Sequence, residues 1–228
     1  MMKLLAIDTA TERCSVALWI DGRIISQDRT LNRAHAEVIL PMVSALLGEA
    51  GCSIKQLDGI GFGRGPGGFT GVRVAASVAQ GLAYGAGLPV LPVSDLETIA
   101  AGAFRLHGEH RILVCMDARM GEVYWGAYSA SASEVRPLTG EFVTAPEAVG
   151  IPDKNLWFGA GAGFMAYAQT LQERLSADLS GVDAGMLPAA SDVALLAAQA
   201  YVRGEYLPAE QALPVYLRDR VAWPKPAL

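Results

Sequence analysis

Two segments, KLLAIDTAT at 3–11 and RILVCMDAR at 111–119, share one design. Each is an apolar run suited to a buried strand, then an aspartate, then residues suited to a turn. The stretches downstream of the two segments also correspond, as hairpin, helix, strand, glycine-rich loop and helix. No repeat at the level of individual residues accompanies this. A succession of that kind predicts two α/β lobes with duplicated mixed sheets, because each apolar strand must be covered on both faces. The polar stretch RLHGEHR after a helix places the boundary near residue 107. The first lobe is then 1–106 and the second 107–228, with a ligand-sized cleft between them. The tail LPVYLRDRVAWPKPAL carries prolines at each end and is expected to dock back on a lobe.

The local signals are consistent with this division. Asp21-Gly22 between alternating runs reads as a type I′ hairpin turn. RAHAEVILPMVSALLGEAG reads as a helix that bends or starts late at Pro41 and stops at Gly51. LDGIGFG is a short strand, and a helix runs from Thr70 to about Gly85. LPVLPVS suits an edge strand, since proline cannot donate to a central ladder. Ser94 to Glu97 is a capping box opening a helix to about Leu106. GEVYWGAYSA and EVRPLTGEFV supply two further strands, APEAVG a short helix and NLWFGAGAG a strand. FMAYAQTLQERL and SDVALLAAQAYVRG are helices.

Residues 61–73, GFGRGPGGFTGVR, sit between a predicted strand and a predicted helix. Backbone N–H groups there can face an anion at a helix N-terminus. A dinucleotide site is disfavoured. The loop is not in the first βα turn, Pro66 removes a donor, and no acid occurs at the usual spacing beyond it. Three readings stay open: a tight turn, a phosphate contact through Gly65, Gly67 and Gly68, or partner docking. Thr70 is the expected N-cap. Arg73 falls in the first helical turn, where the helix dipole disfavours a cation, so an anion such as Asp8 or a ligand is expected beside it.

The helix after that loop carries one narrow polar stripe, Arg73, Ser77, Gln80 and Tyr84; the rest is apolar or small. The helix before it is wrapped by Val38, Ile39, Leu40, Met42, Val43, Leu46 and Leu47. Either each is sandwiched within its own lobe, or together they form an apolar patch that another chain closes. On the second reading the interface residues are His35, Ile39, Met42 and Leu46 with Val74, Val78, Gly81 and Leu82.

Asp8 and Asp117 end corresponding strands: either they face each other across the cleft and hold a metal–nucleotide through water, or each merely caps its strand end. Thr9 and Thr11 offer hydroxyls to a phosphate or to the backbone, and Arg119 pairs with an acid. Gly159, Gly161 and Gly163 form either a flat surface for an adenine or a strand-to-helix turn. His107 and His110 lack the helical H-E-x-x-H of a metalloprotease, and no G-x-S-x-G occurs. No metal site is expected, and no convincing catalytic group stands out. A net charge of −5 argues against a broad nucleic-acid footprint. The three cysteines are widely spaced and suit a reduced, cytoplasmic setting. No apolar run reaches the ~18 residues needed to span a bilayer. The start, MMKLLAIDTA, meets Asp8 before a cleavable apolar segment develops, so no signal peptide is expected.

LLAIDTATERCSVAL, GRGPGGFTGVR, MDARMGEVY and PVYLRDRVA together closely resemble the bacterial TsaB (YeaZ-like) family. The resemblance implies the actin–sugar kinase–Hsp70 fold. It implies a non-catalytic subunit required to install threonylcarbamoyl on the adenosine beside the anticodon of certain tRNAs. Such a subunit supports a catalytic relative, TsaD, which holds a metal through H-x-x-x-H. The corresponding positions here are His35 and Ile39, so that metal site is expected to be absent. The resemblance also implies that the first-lobe helices form a homodimer when alone and engage TsaD by the same surface. A TsaE ATPase joins the complex, and tRNA is reached indirectly. No cofactor is expected in the isolated chain, although ATP or ADP enters the assembled complex. Asp8, Thr9 and Thr11 match the fold's first phosphate turn, Gly65 to Arg73 the family's glycine motif, and Asp117 to Arg119 its second-lobe motif. Gly68 departs from the family's usual serine. The alternative function is a small ATPase or kinase using Asp8 and the glycine loops. A metalloprotease is a third reading, resting only on His35.

Overall fold

The computed structural model describes residues 2–31 and 34–218. Its first sheet holds β1 (Lys3–Asp8), β2 (Arg13–Ile20), β3 (Arg23–Thr30), β4 (Gly59–Gly63) and β5 (Val90–Val93) in the order β3-β2-β1-β4-β5. The second holds β6 (Arg111–Arg119), β7 (Glu122–Ala130), β8 (Val135–Pro137), β10 (Trp157–Ala160) and β11 (Leu179–Asp183) in the order β11-β10-β6-β7-β8. Strand β9 (Phe142–Thr144) pairs with β7. In both sheets the first strand is antiparallel to the next and parallel to the one that arrives after a crossover. The doubling expected from sequence is therefore present, as two mixed sheets whose strand orders correspond.

Among the described residues, six helices cover these sheets: α1 (His35–Glu49), α2 (Phe69–Ala86), α3 (Asp95–His107), α4 (Gly163–Ala166), α5 (Ala168–Leu175) and α6 (Ala190–Val202). Alternation along β1 shows how the layers form. Leu5 and Ile7 face a core under α1 and α2, while Leu4 and Ala6 face a second core shared with α3 and α6. Likewise Ile112, Val114 and Met116 of β6 enter the shared core, and Leu113 and Cys115 enter a third core with Leu171 and Leu175 of α5. The order of layers is thus α1/α2, first sheet, α6/α3, second sheet, α4/α5.

The two halves exchange helices in the middle layer. Helix α3, from the first half of the chain, packs on β6, β7 and β8, while α6, from the second half, packs on β1, β2, β4 and β5. A line drawn at 106/107 marks the chain's crossing between sheets, but the core is continuous across it. The Ala190 amide at the start of α6 donates to Ser15 Oγ on β2 at 2.9 Å. Arg105 on α3 makes a two-pronged ion pair to Asp192 on α6, at 2.8 and 2.9 Å, with Asp192 buried.

Several local expectations hold. Asp21 and Gly22 both have positive φ, as a type I′ turn requires. Strand β5 is at the sheet edge, and Ser94 Oγ caps α3 by accepting from the Glu97 amide. Others need correction. EVRPLTGEFV gives two short strands, β8 and β9, rather than one. The expected helix over FMAYAQTLQERL breaks at Tyr167, whose backbone leaves the helical region. Strand β11 is absent from the sequence reading because Ser180 and Gly181 interrupt its apolar pattern. Leu207 pairs with Val90 of β5 and the Val215 amide donates to the Arg64 carbonyl; of the tail 213–228, residues 219–228 lie outside the described residues, as do Asn32 and Arg33.

Arg105→Ala is expected to lower the unfolding free energy by about 2 kcal/mol, because Asp192 keeps its buried charge without a partner. Arg105 is itself partly exposed, so larger losses are not expected. Denaturant unfolding followed by circular dichroism measures this.

Candidate functional site

The glycine run between β4 and α2 is closed against the turn after β1. The Gly68 amide donates to the Ala10 carbonyl at 2.7 Å, and Thr9 Oγ1 donates to the Gly71 carbonyl at 2.7 Å. A side chain at Gly71 would overlap the Thr9 carbonyl, and one at Gly67 would lie 2.7 Å from the Ala10 carbonyl. These glycines are required because two stretches of backbone touch there. The Gly65 amide donates to Asp95 Oδ2 at 2.5 Å, and Thr11 Oγ1 accepts from the Arg13 amide. Both threonine hydroxyls and the amides of Gly65 and Gly68 are therefore engaged within the chain. The helix starts at Phe69 with Gly68 as its N-cap, so Thr70 is not the cap expected from sequence.

Asp8 does not face Asp117. It is fully buried and faces Asp95 at the start of α3. The inner oxygens, Asp8 Oδ2 and Asp95 Oδ1, both lie against Gly63. A side chain there would overlap the first and sit 2.6 Å from the second. Burial pushes both carboxyls above their ordinary range, and the neighbouring Asp8 charge pushes Asp95 further. Asp95 escapes a reading from sequence because Ser-Asp-Leu-Glu is fully accounted for as a helix start. Its full burial in a first helical turn is visible only in three dimensions.

Asp117 closes its own turn. Oδ1 accepts from the Arg119 amide at 2.8 Å and from the Tyr167 hydroxyl at 3.2 Å, while Oδ2 pairs with Arg119 at 3.0 Å. Arg119 therefore pairs with an acid, as expected. Arg119 and Met120 both take positive φ at this hairpin tip. Gly161 and Gly163 press on the backbone of Cys115, repeating on the second sheet the close packing seen at Gly67 and Gly71.

Arg73 meets no anion among the described residues. Its guanidinium stacks 3.5 Å from the centroid of the Phe69 ring, and its Nε donates to the Tyr216 hydroxyl at 2.6 Å. Cation–π contact and a phenol satisfy a charge that the helix dipole leaves unfavoured. The tail supplies that tyrosine as it crosses the site: the Val215 amide donates to the Arg64 carbonyl at 2.7 Å. Arg218 then donates to the carbonyls of Ala118 and Arg119 and pairs with Glu122 on the second sheet. A second bridge forms where Glu141, in the β8–β9 loop, accepts from Ser94 Oγ and Tyr128 and pairs with Arg64.

The helix pair needs a correction. Ile39, Met42 and Leu46 are buried in the chain's own core, since their spacing places them on the face of α1 that covers the sheet. They cannot meet a partner. Val74, Val78 and Leu82 are half-buried, His35 is half-buried and donates from Nε2 to the Thr11 carbonyl, and Gly81 is exposed. A shallow groove of about 340 Å³ lies between α1 and α2, lined by Ala36, Phe69, Arg73, Val74, Ser77 and Val78. Neither helix is fully enclosed: Leu40 is 47% exposed, Phe69 49% and Tyr84 70%. The exposed apolar surface is thus smaller than expected and is shared by both helices, through Ala36, Leu40 and Ala45 on α1 and Phe69 and Tyr84 on α2.

The histidines do not converge. His107 Nε2 pairs with Asp183, and His110 Nδ1 donates to the Ala130 carbonyl. Among the described residues no three histidine, cysteine or acidic side chains come together as metal ligands. No helix among them is long and apolar enough to cross a membrane.

Gly71→Ala is expected to destabilise the fold by about 3 kcal/mol, since backbone must move to admit the methyl group. Gly81→Ala, with open space around it, is expected to stabilise by about 0.5–1 kcal/mol through helix propensity. Thermal unfolding of both variants distinguishes close packing from mere glycine preference.

Residues 23–225 match the family model described as TsaD, tRNA N6-adenosine threonylcarbamoyltransferase. The chain is 43% identical to the tRNA threonylcarbamoyladenosine biosynthesis protein TsaB of Escherichia coli strain K12, covering 98% of each chain. It is 40% identical to the protein of that name from Haemophilus influenzae, covering 98% of this chain and 97% of that one. The solved structure of YeaZ from Pseudomonas aeruginosa is 49% identical, superimposes with a TM-score of 0.90, and is matched over 95% of this chain and 100% of that one. Another solved structure from Pseudomonas aeruginosa, described as similar to peptidase YeaZ, gives the same identity and TM-score. With full-length identity of this order and a shared fold, the chain belongs to the TsaB family.

Proposed function

We propose that this chain is a non-catalytic partner subunit in threonylcarbamoylation of the adenosine next to the anticodon in tRNA. In this reading it binds and supports a TsaD-type catalytic subunit in the cytoplasm. The observation that carries the proposal is full-length similarity to two proteins named for that biosynthesis. The α1–α2 groove is the docking surface in this reading, because Phe69, Val74 and Val78 of α2 and Ala36 of α1 line a shallow trough there, with exposed Gly81 further along α2. The same face serves a homodimer when the chain is alone. A TsaE-type ATPase joins the complex, and tRNA is held mainly by the partners, in keeping with the chain's net negative charge.

The competing reading, a small ATPase or kinase, requires Asp8 and the glycine loop to face a nucleotide. Asp8 is sealed beneath the loop, and the amides of Gly65 and Gly68 are bonded within the chain. That geometry favours the partner reading, in which the isolated chain carries no cofactor and ATP or ADP belongs to the assembled complex.

Reconstitution tests the role: tRNA modification is expected to fail when this chain is omitted from the purified components and to return when it is restored. Undiminished modification without it would refute the proposal. The surface is tested by Ser77→Arg and Gly81→Arg, both at exposed positions of α2. Each is expected to weaken association with the catalytic subunit at least tenfold, about 1.4 kcal/mol, with unchanged circular dichroism. Sedimentation of the mixture reads the outcome.

A further inference from the structure

We propose that Asp8 and Asp95 share one proton at neutral pH, and that this acid–carboxylate pair clasps the turn after β1 to the glycine loop before α2. This goes beyond the partner role and does not rest on it. Both side chains have no solvent exposure, and among the described residues no basic group forms an ion pair with either.

Their outer oxygens are already tied. Asp8 Oδ1 accepts from the Ala10 amide at 3.1 Å, and Asp95 Oδ2 accepts from the Gly65 amide at 2.5 Å. These bonds leave Asp8 Oδ2 and Asp95 Oδ1 facing the same point against Gly63, and neither has a donor. Two bare carboxylates sealed together would repel, and each would leave an oxygen unsatisfied. One proton between them satisfies both oxygens and leaves a single charge in a strong charge-assisted hydrogen bond. The titration then belongs to the pair rather than to either residue.

The surroundings agree in direction. Burial raises both groups; Arg13 on β2, His35 on α1 and Arg64 after β4 oppose it only in part, and Cys14 on β2 also lies near Asp8. The folded chain therefore keeps a proton that the unfolded chain, with an ordinary aspartate, releases at neutral pH. The clasp's contribution is complete at low pH and is lost as pH rises through the pair's upper step. Over that window the unfolding constant is expected to rise about tenfold per pH unit for the one proton involved.

The test is denaturant unfolding of the full chain across roughly pH 5 to 9, compared with Asp95→Asn, Asp8→Asn and the double variant. In either single variant an amide N–H replaces the proton, so the slope is expected to fall by one proton and high-pH stability to exceed that of the wild type. Glu97, which burial lifts to about 7, contributes to all these proteins alike and cancels in the comparison. The double variant sets amide N–H against amide N–H and is expected to be less stable than either single one. Carbon-13 NMR of labelled aspartates in the wild type reads the pair directly and needs no variant to fold. One carboxyl of the pair is expected to stay protonated through neutral pH. Equal slopes in the wild type and the single variants, a double variant as stable as the singles, or two carboxyls ionising in the ordinary range would each overturn the proposal.

Discussion

The contact on which the rest of the first lobe depends is backbone against backbone. The first turn of α2 rests on the carbonyls of Thr9 and Ala10, and no side chain fits between them at Gly67 or Gly71. That approach sets where α2 leaves the sheet, and so which face of α2 is turned to solvent. It also uses the amide of Gly68 and the hydroxyl of Thr9, groups that an open loop of this type would offer to a phosphate. The glycine run is therefore a place where two turns close on each other. Beneath it lie Asp8 and Asp95, so the strand-end acid is part of the closure rather than the floor of an open site.

The second constraint is the exchange of α3 and α6 between sheets. Each sheet borrows its inner cover from the other half of the chain, and the buried core runs through both. The Arg105–Asp192 pair, the bridge from Glu141 to Ser94 and Arg64, and the tail through Arg218 all tie the same two halves. Large relative motion of the halves would have to break polar contacts at several places as well as open apolar surface. A platform that holds a docking helix in a fixed direction suits a partner subunit better than a clamp that must open and close.

Much of this architecture was legible in the sequence because it rests on periodicity and local chemistry. Alternating apolar residues in KLLAID and RILVCMD, Asp21-Gly22 in its turn, and Ser94 before its helix each declare their structure within a few residues. The close packing at Gly67 and Gly71 was not legible. Glycine permits a phosphate, a tight turn and a touching backbone alike, and only the position of Ala10 decides. Asp95 was hidden by its own adequacy as a helix-start residue. Ile39, Met42 and Leu46 suit an interface and a core equally in sequence, because an apolar helix looks the same whether its own sheet or another chain covers it. Arg73 in a first helical turn calls for an anion, whereas Phe69 and a tyrosine far along the chain supply its surroundings.

In the proposed role, the solvent face of α2 is the surface that serves the biosynthetic complex. Hydrogen exchange on this chain, with and without a purified TsaD-type subunit, addresses that most directly. Slowed exchange is predicted in peptides covering residues 69–86 and the facing part of α1, with little change along β6, β7 and α5. Protection confined to the second sheet and its helices, with 69–86 unaffected, would contradict that role for α2.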